Sequence, residues 1–260
     1  PVRIVTTVPG GRLALTARLI APKLSGRLGQ PVIVDNRGGI LSMELVAKAP
    51  ADGYTLLLAS GSLWISQFLR DSVSWDAIRD YAPLSLLVTS PNILVVHPSL
   101  PVKSVKDLVA LARARAGAIN YSSGQTGSSS HIAGELFNSM ARVNMVRIAY
   151  KGQGPAMLSL VTGETQVSFP NAASAAAFMK SGRLKALAVT SAQPSALAPG
   201  LPTVAASGLP GYESRAILGM FAPARTPGPI VDQLHAALVQ DGAIEEAIDA
   251  HLVVPVTRRG

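Results

Sequence analysis

The chain has 260 residues, 48% of them hydrophobic and only 15% charged, with no cysteine and a formal net charge of +8. That composition supports a sizeable buried core and excludes a disordered chain, disulfides and thiolate metal sites. No apolar run reaches the roughly 18 residues that cross a bilayer, and the 23 glycines and 19 prolines predict many tight turns between short elements.

The chain opens on Pro1 and enters a strand over 2–7 at once, so a targeting peptide, if the protein carries one, is expected to be already gone. A helix follows over 13–28, closed by Gly29, then a strand over 31–34. A helix over 43–48 ends before Pro50, and a buried strand over 54–59 follows the Asp52-Gly53 turn. The stretch 60–70 opens another helix, and strands over 83–88 and 92–96 are split by a break at Ser90-Pro91. Next come a helix over 104–114 with Ser104 as N-cap, a strand over 119–122 and a helix over 130–140. Strands over 146–149, 166–169 and 184–190 alternate with helices over 155–160 and 172–179. A Pro/Ala/Gly-rich connection over 191–211 precedes a last strand over 217–222 and a helix over 229–238 that has Pro229 in its first turn. Alternating strands and helices predict an α/β fold with mostly parallel sheets. The two runs of units place one lobe at 1–98, a second at 99–220, and a return to the first over 221–260.

Positive charge raises nucleic acid as a partner, but the Lys and Arg residues are scattered, aromatics are 5%, and no basic stretch is interleaved with stacking rings. Small acidic ligands suit the charge better.

The stretch "VTTVPGGRLALTARL" (5–19) runs from strand through Pro9-Gly10-Gly11 into a helix, a geometry that offers backbone N–H groups to anions. It lacks the third glycine of a dinucleotide fingerprint and the Lys-Ser/Thr of a phosphate loop, so a nucleotide is excluded, and a plain turn is the alternative. In "NYSSGQTGSSSHIAGELF" (120–137) a strand again gives way to a loop and a helix. Ser122, Ser123, Thr126, Ser128, Ser129 and Ser130 offer hydroxyls, while Gly124 and Gly127 allow close backbone approach. "AYKGQGPA", "SFPNAAS" and Ser60-Gly61-Ser62 repeat the junction, and open α/β sheets bind ligands at such carboxyl ends of strands. Trp64 is placed to line a pocket beside the last of these, whereas Trp75 reads as packing.

The four histidines (His97, His131, His235, His251) have no metal-ligand spacing, and neither metal nor cofactor is expected. His131 beside the serine loop raises a Ser/His hydrolase, but no nucleophile elbow is present and Glu135 is the only acid near enough to orient it.

The stretches "PVRIVTTVPGG", "LGQPVIVDNRGG", "VAKAPADGYTLLLA", "INYSSGQTGSSSHIAGELF", "AYKGQGPA" and "GRLKALAVTS" follow one another along nearly the whole chain. Together they resemble the Bug family, the periplasmic solute-binding proteins of tripartite tricarboxylate transporters. The resemblance implies a two-lobed Venus flytrap with a ligand cleft between lobes. It further implies a periplasmic location, no catalytic residues, a small carboxylate ligand, a monomer, and delivery to a permease of one small and one large membrane subunit. The ligand contacts it implies are Val8, Gly10, Gly11 and Arg12 in the first loop, Ser60 and Ser62 beside it, Ser123, Gly127, Ser128 and Ser129 in the second loop, and Pro170 and Asn171.

Four positions depart from the family pattern: Ala14 and Pro170 stand where an Asp is usual, Val8 replaces a Pro, and the glycine-rich insertion is shortened at Arg37-Gly38-Gly39. The long final helix of typical members is also expected to be missing, since the chain stops at Gly260, which leaves a non-functional copy as one alternative. With two acids gone and Arg12 near the first helix, an ammonium would be poorly matched. The expected ligand therefore carries carboxylates and no amine: a dicarboxylate, a tricarboxylate or an aromatic acid. A ligand sensor for a signalling receptor remains the alternative to a transport receptor.

Overall fold

The computed structural model describes residues 1–7, 11–69 and 72–239, with positions 11 and 12 described through their backbone alone. The chain begins with β1 (Val2–Thr6), α1 (Gly11–Leu28), β2 (Val32–Asn36), α2 (Gly39–Ala47), β3 (Thr55–Ser60), α3 (Ser62–Ile65) and the long β4 (Tyr81–Pro91). It continues through β5 (Ile93–Val96), α4 (Val105–Ala114), β6 (Asn120–Ser123), α5 (Ser129–Ala141), β7 (Val146–Ala149) and α6 (Gln153–Val161). The remaining elements are β8 (Val167–Ser168), α7 (Ala172–Lys180), β9 (Lys185–Val189), β10 (Arg215–Pro223) and α8 (Gly228–Val239).

Two compact units result. One holds Pro1–Thr89 and the chain from Ile217 onward; the other holds Ser90–Ala216. The chain thus changes unit inside β4 and again inside β10, ahead of the boundaries at 98 and 220 expected from the sequence. The expected break at Ser90-Pro91 is absent: β4 runs through it, with the proline at the strand's final position, where a missing ladder N–H is tolerated. The helix expected over 60–70 is only one turn plus a 3-10 turn at Ser66–Phe68. The return over 221–260 is described as far as Val239, and the expected absence of a final helix falls outside the described residues.

Each unit is one sheet covered on both faces. Along β1, Val2 and Ile4 join one cluster and Val5 joins another; along β3, Leu56 and Leu58 join the first, Leu57 and Ala59 the second. Strand side chains alternate between faces, so unbroken apolar runs mean that helices cover both. Here α1 and α8 supply Ile20, Leu24, Leu234 and Leu238 to one side, and α2 supplies Met43 and Val46 to the other. Unit two repeats the arrangement: Leu94 and Val96 of β5 pack with α4 and α5, Ile93 and Val95 with α6 and α7.

The sheet orders are β2-β1-β3-β10-β4 and β7-β6-β8-β5-β9. β1 is parallel to β2 and β3, and β6 is parallel to β7 and β8. Against the expectation of mostly parallel sheets, β10 runs antiparallel to β3, and β5 runs antiparallel to β8 and β9. Hydrophobic periodicity reports burial, not direction, so these returning strands leave no mark in the pattern. The parallel subset positions the candidate site, because it brings the carboxyl ends of β1 and β3 to one edge of the first sheet and those of β6, β7 and β8 to one edge of the second.

The helix that follows β6 lies very close to its sheet. A Cβ on Gly134 of α5 would enter the ring of Tyr121, which is fully buried and donates its hydroxyl hydrogen to Glu135. Gly134→Ala is expected to destabilise the protein by about 1–3 kcal/mol through overpacking, more than the helix propensity gained. The check is a lower urea midpoint with an unchanged m-value; a midpoint equal to or above wild type would show that α5 has room to shift.

Candidate functional site

The loop between β6 and α5 is organised by its own hydroxyls. Ser128 is the N-cap of α5, its Oγ accepting from the His131 N–H at 3.4 Å, and it lies 3.2 Å from Ser130 Oγ. Ser130 Oγ in turn accepts from the Gly124 N–H at 3.0 Å. Gly127 adopts φ +81°, a left-handed conformation that suits glycine, and its N–H donates to His131 Nδ1 at 3.1 Å. Among the described residues, the backbone N–H groups of Gln125, Thr126, Ser129 and Ser130 have no intramolecular acceptor. Two of these are first-turn N–H groups of α5, which a helix cannot satisfy internally. Four N–H donors are thus available at this strand end, and the helix dipole has the same sense. Such an arrangement receives an oxyanion.

The structure gathers Ser123, Gly127, Ser128 and Ser129 into this one loop. Asn92, fully buried, links it to the next junction: its Nδ2 donates to the Phe169 carbonyl at 2.6 Å and more weakly to Ser129 Oγ at 3.4 Å. Pro170 and Asn171 lie there with structural duties of their own. The Pro170 carbonyl accepts from the Ile93 N–H at 2.8 Å, and Asn171 caps α7 by accepting from the Ser174 N–H at 2.9 Å. Arg147 on β7 reaches across to the loop, donating to Ser123 Oγ at 2.8 Å, the Gly124 carbonyl at 3.1 Å and Thr126 Oγ1 at 3.2 Å. Neither Asn92 nor Arg147 stood out in the sequence; the available signal for Arg147 was a cation inside an otherwise apolar strand, "VRIA".

In the first unit, Ser60 ends β3 and Ser62 opens α3, their hydroxyls 2.9 Å apart. Both are half-buried. Trp64 stacks edge-on against Phe221 with centroids 5.6 Å apart, so its ring packs at least partly against the core. Val8 and Gly10 lie outside the described residues, as do any side-chain contacts of Arg12; Gly11 is the first residue of α1. A separate cavity of about 610 Å³ in this unit is lined by Lys48, Pro50, Arg79, Asp80, Pro223 and Arg225. It lies toward the amino end of β3, since β10 pairs Leu218 with Ser60 and Phe221 with Leu57, and so away from Ser60 and Ser62.

His131 is buried and lacks the arrangement of a general base. Its Nδ1 accepts a backbone N–H, which puts the proton of the neutral ring on Nε2, and Glu135 is engaged by Tyr121. Burial, and secondarily the Arg147 charge, lower its pKa below the ordinary 6.5. The unfolded chain therefore takes this proton first. Above about pH 6.5 the group contributes nothing to pH dependence, and stability falls as pH drops through that value toward the lower folded pKa. Urea midpoints between pH 7.5 and 5.5 are expected to decline in wild type and to decline less in His131→Gln; equal declines would contradict the assignment.

Residues 16–251 match the profile of the tripartite tricarboxylate transporter family receptor, TctC. The chain belongs to this family. It is 34% identical to the protein BugT of Bordetella pertussis over 97% of this chain and 80% of the relative. The structure titled R. palustris Rpa4515 with adipate superposes at a TM-score of 0.84 with 32% identity, covering 98% of this chain and 88% of that one. The structure of MatC (Rpa3494) from Rhodopseudomonas palustris with bound malate superposes at 0.85 with 27% identity, covering 98% and 90%. The protein is thus a Bug-type solute-binding protein of the TctC family, and its fold is that of the two-lobed periplasmic binding proteins. No described helix is long and apolar enough to cross a membrane. Of the positions expected from the sequence to depart from the family pattern, Ala14 is buried in α1 and Pro170 is buried with no polar side-chain atom to offer.

Proposed function

We propose that the protein is a periplasmic receptor that captures a small amine-free carboxylate and passes it to a membrane permease of one small and one large subunit. The observation that carries this reading is the set of four unpartnered N–H donors, at Gln125, Thr126, Ser129 and Ser130 of the β6–α5 loop, which matches a carboxylate. Of the residues expected from the sequence, Ser128 and Ser129 lie at this half of the contact with the free N–H groups of Gln125, Thr126, Ser129 and Ser130, whereas Ser123 and Gly127 shape the loop through their bonds to Gly124, Arg147 and His131, with Pro170 and Asn171 beside them. The first unit contributes Val8, Gly10, Gly11, Arg12, Ser60 and Ser62. Adipate and malate, the ligands in the titles of two similar structures, are both dicarboxylates without an amine. A binding role without catalysis is supported by His131, whose ring is held in the tautomer that donates from Nε2, and by Glu135, which serves Tyr121 instead.

The test is to denature freshly purified protein and identify what it releases by mass spectrometry, alongside an assay with activated esters. Release of a di-, tri- or aromatic carboxylate with no ester turnover is the expected result. Release of an amino acid, or turnover that His131→Gln abolishes, would contradict it.

A further inference from the structure

Arg147 is half-buried on β7, in register with Tyr121 of β6. Its guanidinium uses Nε, one Nη and the other Nη on Ser123 Oγ, Thr126 Oγ1 and the Gly124 carbonyl. All three targets are neutral acceptors. Among the described residues Arg147 forms no ion pair, so its charge is not neutralised by contact. The effect on the loop is one-sided. Lone pairs of the Gly124 carbonyl and of the Ser123 and Thr126 hydroxyls, which would repel an anion, are covered by a cation, and the N–H groups of Gln125, Thr126, Ser129 and Ser130 stay available. A planar fork is needed for three such bonds in a fixed geometry, which a lysine cannot reproduce.

From this geometry we infer that Arg147 is a positioning residue that makes the β6–α5 loop selective for anions, holding the Ser123–Thr126 turn in its donor-outward shape and biasing the loop with an unneutralised positive charge. The inference rests on the reading that this loop receives a ligand carboxylate. Arg147 itself acts through the loop: each of its three nitrogens is anchored, to Ser123, Thr126 and Gly124, which leaves two of its five N–H hydrogens without a described acceptor. Charge and shape are separable, because Arg147→Lys keeps the first and loses the second, whereas Arg147→Gln loses both.

The experiment is calorimetric titration of wild type, Arg147→Gln and Arg147→Lys with malate and with adipate at low and high salt, together with NMR titration of the His131 ring. Arg147→Gln is expected to weaken binding about 10- to 100-fold and Arg147→Lys by less, in line with the loss of hydrogen bonds to a charged donor. Affinity should fall with salt in wild type and Arg147→Lys, and fall less steeply in Arg147→Gln. The His131 pKa should rise in Arg147→Gln and stay near wild type in Arg147→Lys, because the cation at 147 lowers it. A merely structural residue would leave the salt dependence of binding unchanged, while the ring titration verifies that the charge at 147 has been removed or kept. Wild-type affinity and salt dependence in Arg147→Gln would overturn the inference while leaving the carboxylate reading intact. No binding of any carboxylate by wild type would overturn that reading first. If Arg147→Gln fails to melt cooperatively, Arg147→Lys decides: weakened binding with the salt dependence kept supports the inference, and wild-type affinity overturns it.

Discussion

Malate is expected to raise the melting temperature of this protein, and aspartate at the same concentration to leave it unchanged. The two ligands share a carbon skeleton and two carboxylates and differ in a hydroxyl against an ammonium group. A hydroxyl finds partners among serines and backbone carbonyls. An ammonium taken out of water needs a carboxylate or several acceptors, and leaving a buried charge unpaired costs about 3 kcal/mol or more, over 100-fold in affinity. The two positions expected from the sequence to have lost an acid hold Ala14, which is 1% exposed, and Pro170, whose only polar backbone atom already accepts from Ile93. At a ligand concentration of about 100 times Kd the stabilisation is about 2.7 kcal/mol, which for a chain of this size is a rise of roughly 5–10 °C. Stabilisation by aspartate or glutamate without stabilisation by malate, citrate, adipate or benzoate-type acids would remove the amine-free assignment.

Valine at Gly11 or at Gly127 is expected to abolish carboxylate binding while the protein still melts cooperatively. At Gly127 the cause is conformational. With φ at +81° a β-branched residue is strained by about 1–2 kcal/mol, and relief of that strain moves the N–H that fixes the His131 ring. The loop then loses its arrangement, while the sheet and α5, anchored by Phe137 and Ala133 in the core, remain. At Gly11 the cause is the start of α1, where bulk next to the backbone N–H groups excludes a ligand oxygen. Loss of affinity in each variant should exceed about 100-fold by the measure of one to two lost charged hydrogen bonds. If Gly11→Val keeps wild-type affinity, the first unit's loop takes no part in capture; if Gly127→Val does, the second unit's loop takes none.

Much of the fold is legible in the sequence because burial and turn chemistry leave local marks. Ser104 caps α4 as its position before an apolar periodic stretch implies, accepting from the Asp107 N–H. Gly29, just past the end of α1, takes the left-handed conformation that ends helices. Strand direction leaves no such mark: β5 and β10 read as apolar runs like any other, and only pairing reveals that they run against their neighbours. The change of unit leaves no local mark either, since β4 is a single strand whose two ends belong to different units.

The serine loop was visible as a cluster of hydroxyls around two glycines, and its members do come together. Its support was not visible. Asn92 is some 30 residues before the loop and meets it only through the strand order that sets β5 beside β8. Arg147 is separated from Ser123 by 24 positions and reaches it because β7 pairs with β6 in register. Long-range neighbours of this kind are created by topology, which no local pattern encodes.

The central claim, that the protein is a receptor for amine-free carboxylates, is tested most directly by isothermal titration of ligand-stripped protein with malate and adipate. One ligand per chain with a dissociation constant in the micromolar range or tighter is the predicted result for at least one of them. A panel of di-, tri- and aromatic carboxylates that gives no saturable heat, alongside an amino acid that does, would contradict it.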